Sequence, residues 1–245
     1  MPEENNTTVS VIQSFDNTFE SGNLVDTLSQ VGELGIDAAL ELVNAAPILK
    51  DIPVLGLIVS GTKTFANIRN YVLANKVFKF FYGVKDIPIK KRQKFAAEYC
   101  RENREDTAAA LLNILDRLNN QNYVPVICRL MCAQMDGKIT IPEFNRAVLS
   151  LERTAYTDLH LLSKFVNDYY EEGLAEAFES AGLVYQSVIG NDTQMKLSPT
   201  GRLLLEYGLN NPMVVRTPRN TNVKGVAQWE PVIEDGALSF QRNKN

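Results

Sequence analysis

The chain has 245 residues, 45% of them hydrophobic and 22% charged, an ordinary globular composition that excludes a disordered, fibrous or multi-span membrane chain. Its net charge of -4 gives no overall case for nucleic acid, but the mean hides a division. Residues 1–62 hold nine acidic residues and one basic, whereas residues 63–104 hold eleven basic and three acidic, so an acidic segment precedes an electropositive belt.

Residues 1–22 are rich in Asn, Thr, Glu and Ser and predict a flexible N-terminus. They lack a basic region followed by an apolar one, so no secretory signal is read. The three cysteines, Cys100, Cys128 and Cys132, lack the spacing of a small secreted framework and predict reduced thiols. A cytoplasmic chain is expected. From Asn23, the spacing of Leu24, Leu28, Val31, Leu40 and Val43 predicts an amphipathic helix. Pro47 and Pro53 interrupt it. From Val54, VLGLIVSGTKTFANIRNYVLANKVFKFFYGV reads as one helix to about Phe81, apolar at first and then striped with Arg69, Lys76 and Lys79. The apolar run around Pro53 is broken by Lys50, Asp51 and two prolines and is too short to span a bilayer. Within it, GLIVSGTKT misses the phosphate-binding pattern by one residue, Thr62, which misplaces Lys63.

Three readings of the Pro53–Lys94 stretch stand side by side. The apolar helix is a core element whose basic residues reach solvent or pair with the acidic segment; or an apolar surface rimmed by Arg69, Lys76, Lys79, Lys90, Lys91, Arg92 and Lys94 meets anionic lipid at the inner membrane or a protein partner; or the Lys90–Lys94 cluster contacts nucleic acid.

Further on, PIKKRQKFAAEYCREN and EDTAAALLNILDRLNN predict two helices joined around Arg104. VPVICRLMCAQM, the turn DGKIT and PEFNRAVLSLERTAY predict a helix, turn, helix unit. In a calcium-loop alignment Glu143 takes the final bidentate position and Asp136 the fifth, but Cys132 and Gln134 fall where hard anionic oxygens are needed, so calcium is not expected. Thr140 and Glu143 instead form a capping box, with Pro142 in the first helical turn. Cys128 and Cys132 are one helical turn apart, and with a single histidine, His160, no zinc set assembles. They read as buried structural cysteines. His160 sits in an apolar run, most nucleophile and histidine arrangements are thereby removed, and no catalytic residue or cofactor is assigned.

Ala133, Asp136, Gly137, Ile139 and Glu143 together resemble the tellurite-resistance (TerB-like) helical domain of bacteria over residues 124–160. That resemblance implies a helical fold, acidic metal ligands at Asp136 and Glu143, and a setting in bacterial stress or phage defence.

TDLHLLSKFVNDYYEEG and GLAEAFESAG predict two short helices. Leu183–Val188 and Gln194–Leu197, divided by IGND, predict a hairpin, and a helix opens at Ser198 and Pro199. This part resembles the hairpin and closing helix of winged-helix proteins. The helix before the hairpin carries Glu171, Glu172, Glu176 and Glu179 and no basic residue, which disfavours phosphate contact. Residues 210–245 are rich in Pro and Asn and predict an irregular tail. The expected architecture is therefore mainly α, a multi-helix bundle over 23–170 with a winged-helix-like appendage at 171–209. The expected role is that of a non-enzymatic bacterial interaction or effector protein with a protein partner.

Overall fold

The computed structural model describes residues 3–21, 28, 53–60, 68–167, 171–189, 192–210, 229–234 and 237–242. These residues are mostly helical, with short antiparallel hairpins toward the C-terminus. The mainly α expectation holds. Met1–Met213 forms one compact unit and Val214–Asn245 a second.

The first helix, α1 (Glu3–Phe19), falls in the stretch expected to be flexible. Composition misled there because it averages over position: Val11, Phe15 and Phe19 recur every four residues and fall on one face. Phe15 and Phe19 are fully buried, and Phe15 lies 4.8 Å from Phe81 and 5.7 Å from Phe80 between ring centroids. The expected helix from Asn23 lies outside the described residues except for Leu28, which is buried.

The single helix expected from Val54 to Phe81 is instead two, α2 (Pro53–Ser60) and α3 (Ile68–Val84). They pack against each other, which one straight helix rising 1.5 Å per residue would forbid. Their apolar residues Val54, Leu55, Ile58, Ala74, Val77, Phe78, Phe80, Phe81 and Val84 are all buried. Among the described residues no helix is long and apolar enough to cross a membrane.

Helix α4 (Ile89–Asn103) ends at Arg104, whose left-handed backbone (φ 55°) turns the chain where the sequence predicted a junction. Asp106 then caps α5 (Thr107–Arg117) by accepting from the Ala109 N–H at 2.8 Å. A short 3-10 turn leads into α6 (Val124–Met135), and the DGKIT turn into α7 (Ile141–Arg153). Helices α3, α4 and α7 all pack on α6, so α6 is the axis of the unit. The short helix predicted there is a 3-10 segment, Leu159–Asn167. It is followed by α8 (Glu172–Ser180), the strands β1 (Val184–Ile189) and β2 (Asp192–Leu197), and α9 (Pro199–Leu203), which runs into a π-helical turn, Leu204–Gly208.

The hairpin pairs Val184 with Leu197 through to Ile189 with Asp192, as its alternation predicts. The 171–209 stretch, with its small helix and hairpin, lies within the first compact unit. Helix α9 packs on α7, the π-helical turn packs on α6, and Leu204 and Leu205 are buried. Ser198 caps α9, and Gly201 follows where a Cβ would stand 2.0 Å from the Leu183 carbonyl oxygen.

The second unit contains β3 (Trp229–Glu234) and β4 (Ala237–Arg242), paired antiparallel from Trp229 and Arg242 to Glu234 and Ala237. The tail expected to be irregular therefore holds a hairpin. Pro231 and the surrounding Pro and Asn residues argued against a strand, but a proline is tolerated on an edge.

A candidate interaction groove beside the DGKIT turn

Local chemistry sets the turn. At the end of α6 the Gly137 N–H donates to the Gln134 carbonyl at 2.8 Å and the Lys138 N–H to the Ala133 carbonyl at 2.9 Å, the paired bonds of a Schellman motif. Gly137 supplies the required positive φ of 74°. Three residues later the expected capping box is present: the Thr140 N–H donates to Glu143 Oε2 at 2.7 Å, and the Glu143 N–H to Thr140 Oγ1 at 3.4 Å. Ile139, between the two caps, is buried and pins the turn to the core.

The same geometry places the two carboxylates that the sequence offered to a metal. The residues that a calcium-loop alignment assigns to its first four positions, Cys132 to Met135, are the last turn of α6 rather than loop. Asp136 bonds Lys91 on α4 at 2.6 Å, and that hydrogen bond and charge hold its carboxyl below the ordinary range. Glu143 is likewise held low, chiefly by the Thr140 N–H it accepts. Both carboxylates are engaged with different partners. Among the described residues no three of His, Cys, Asp and Glu gather as a metal set would.

Between α4 and this turn runs a groove of about 470 Å³. One face of α4, Lys91, Lys94, Phe95, Glu98 and Glu102 at helical spacing, forms a wall. Phe95, Ile139 and Ile141 form an apolar floor, each at most 4% exposed. The rim is charged: Lys94 lies 3.7 Å from Glu98 and Arg101 3.6 Å from Glu102, while Lys91 holds Asp136. Gln134 comes from the α6 side and donates its Nε2 to Glu98 Oε2 at 2.9 Å.

The basic residues singled out in the sequence divide between surface and interior. Lys90, Lys91 and Lys94 are exposed and Lys79 half-buried; the side chain of Arg69 lies outside the described residues. Lys76 and Arg92 are corrections. Lys76, 4% exposed, donates to the backbone carbonyls of Leu118 at 2.6 Å and Asp116 at 3.2 Å, closing the C-terminus of α5. Arg92, 2% exposed, donates to the carbonyls of Phe19, Ser21 and Ile87 and lies over the Phe19 ring. Neither lies at a surface that lipid or a partner meets. Each reached the interior because it had carbonyls to satisfy there. Of the apolar residues on the face opposite the basic stripe, Ala74, Val77, Phe78 and Phe81 are buried as well.

The remaining sequence candidates sit as follows. Gly56 of the near-miss phosphate motif lies inside α2, and Gly61 to Thr64 lie outside the described residues. Cys128 is buried, donates weakly to the Phe80 carbonyl at 3.7 Å, and has its thiol pKa pushed well up by burial. Cys132 is raised too, first by burial and then by Asp136. Neither is an activated thiolate. His160 rims a second hollow of about 580 Å³ with Arg129, Tyr156 and Leu205. On α8, Glu172, Glu176 and Glu179 all face solvent, an acidic face.

The sequence reading missed Phe95, Glu98, Arg101 and Gln134. The signal was present in the i, i+3, i+4, i+7 pattern of α4, where one buried aromatic interrupts a charged face. The residue opposite, Gln134, arrives through tertiary folding alone. Comparison of the chain with protein-family models, curated proteins and solved structures returns no match.

Proposed function

We propose that this chain is a non-enzymatic interaction protein of the bacterial cytoplasm that holds a protein partner in the groove between α4 and the DGKIT turn. The observation that carries the reading is the groove's make-up, an apolar floor of Phe95, Ile139 and Ile141 inside a rim of charged side chains, which is the anatomy of a protein interface. The residues of the TerB-like resemblance build the turn that forms one side of it. The bacterial stress or phage-defence setting rests on that resemblance alone.

The test is site-specific photo-cross-linking in cells of the source organism, with the photoreactive residue at position 94 on the groove rim or at Tyr185 on the hairpin. A discrete, protease-sensitive adduct from position 94 and not from position 185 supports the reading. No adduct at 94, or the same smear from both positions, sinks it. A second reading, nucleic-acid contact, is favoured by the exposure of Lys90, Lys91 and Lys94 on one end of α4; a nuclease-sensitive adduct from position 94, with binding that falls steeply as salt rises, would select it.

A further inference from the structure

At the opposite end of α6 from the groove lies the second hollow, of about 580 Å³, a size usual for small-molecule sites. Pro125 and Arg129, one turn apart on α6, form one side, and Tyr156, Thr157 and His160 form the other. All five are exposed, so the hollow offers them to an occupant. Half-buried Leu209 adds apolar surface, and Val126, Leu159 and Leu205, each at most 3% exposed, back the hollow from the core. Tyr156 is steadied by an edge-to-face contact with the buried Tyr123, 5.4 Å between ring centroids.

Arg129 is held in a set pose. Its Nε donates to the Gly208 carbonyl at 2.6 Å, one of the oxygens that the end of the π-helical turn leaves without a partner of its own. The turn sits flush on α6: a Cβ at Gly208 would stand 2.8 Å from Leu204 Cδ1 and 3.0 Å from Val126 Cγ1. Such turns are rare and concentrate at functional sites. With Nε engaged, the guanidinium keeps its two Nη groups, which have no hydrogen-bond or ion-pair partner among the described residues. That free edge matches the two oxygens of a carboxylate. Among the described residues no Asp, Glu or Lys lines the hollow. Asp158, the acid next in sequence to Thr157, lies outside the lining and accepts from the Thr157 hydroxyl at 3.0 Å.

From one oriented, unneutralised cation beside apolar surface we infer that the hollow binds a small organic monocarboxylate with an apolar body, its carboxylate on the Arg129 Nη groups and its chain or ring against Tyr156 and Leu209. The Tyr156 hydroxyl and an imidazole N–H of His160 are further donors at the rim. A phosphate monoester carries nearly two charges and calls for a second permanent cation, which the lining lacks; a neutral apolar molecule leaves the guanidinium unused. This site goes beyond the reading of the groove and does not rest on it.

The test is titration of the full-length, isotope-labelled protein with octanoate and with phenylacetate, read by NMR at the Arg129 Nε–H and at the backbone amides of Thr157 and Leu209. Octanol, acetate and inorganic phosphate are the comparison ligands. We expect saturable shifts at Arg129 with at least one of the two carboxylates, and binding at least about tenfold weaker for octanol, which lacks the charge, and for acetate, which lacks the apolar body. Thr157→Glu sets a like charge on an exposed position of the hollow and should weaken the better carboxylate about tenfold. Arg129→Gln should do the same, but Arg129 also caps Gly208, so Thr157→Glu and the ligand comparison decide the matter if Arg129→Gln fails to fold. No shift at Arg129 with either carboxylate overturns the inference. So does octanol, acetate or phosphate binding as tightly as the better carboxylate, or undiminished binding by Thr157→Glu.

Discussion

Arg92 and Lys94 stand two positions apart on α4 and meet opposite environments. Arg92 points inward and binds three backbone carbonyls, two of them at the end of α1 and just beyond it. Lys94 points outward over the groove with most of its side chain in water. The sequence presents them as one basic cluster. The comparison teaches that a charge run on a helix is two populations: residues on the buried face serve as clasps for backbone oxygens, and residues on the open face stay at the solvent. Lys76 belongs with Arg92, and Lys90 and Lys91 with Lys94.

The comparison is sharpened most by Arg92→Gln. It removes the hydrogen bonds that tie α1 to α4 and leaves buried carbonyls without donors, at about 3 kcal/mol. Urea unfolding should register that loss, and hydrogen exchange should locate it in α1. Arg92→Lys should recover little of it, since a lysine cannot reproduce the planar fork. Equal stability of Arg92→Gln and wild type would break the division at its strongest point.

Lys76→Met comes next. It keeps the apolar stem but withdraws the donors that close α5, and about 2 kcal/mol should be lost in the same denaturant assay. The turn gives a smaller effect with a pH signature. Thr140→Ala removes the cap of α7 and should cost about 1 kcal/mol. The folded-state pKa of Glu143 is depressed, so its contribution is full above the unfolded glutamate value of about 4.3 and is lost as pH falls through the lower folded value. In Glu143→Gln the fall in urea midpoint below that pH should be shallower than in wild type, and an unchanged slope would remove Glu143 from the capping account. The smallest expected effect is that of Lys94→Ala with Arg101→Ala, within about 0.5 kcal/mol of wild type, even though the pair should weaken any contact made through the groove. A large stability loss there would make the rim cations structural like Arg92.

Much of the fold was legible in the sequence. The capping box at Thr140 and Glu143, the junction at Arg104, the hairpin around IGND and the helix start at Ser198 all follow from local rules, because caps and tight turns are satisfied by neighbours a few residues away. The helix at Glu3–Phe19 was hidden by its polar average, although Val11, Phe15 and Phe19 marked its buried face. The strands at 229–234 and 237–242 were hidden by proline, although the Asp-Gly sequence that separates them is a common hairpin signal. The candidate site was legible only in halves. Its floor and wall are written in α4, and its turn in DGKIT, but the meeting of Glu98 with Gln134 spans 36 positions and no local pattern announces it.

The sequence by itself determined that this chain is mainly helical, where several of its helices and turns begin and end, and that residues 63–104 are basic. Only the tertiary structure decided which of those basic residues are buried, that α2 and α3 fold against each other in the core, and that α4 and the DGKIT turn enclose a groove. The physical reason is range. Caps, turns and helical periodicity act within a few residues, whereas burial of a charge depends on which distant carbonyls are brought close enough to bind it.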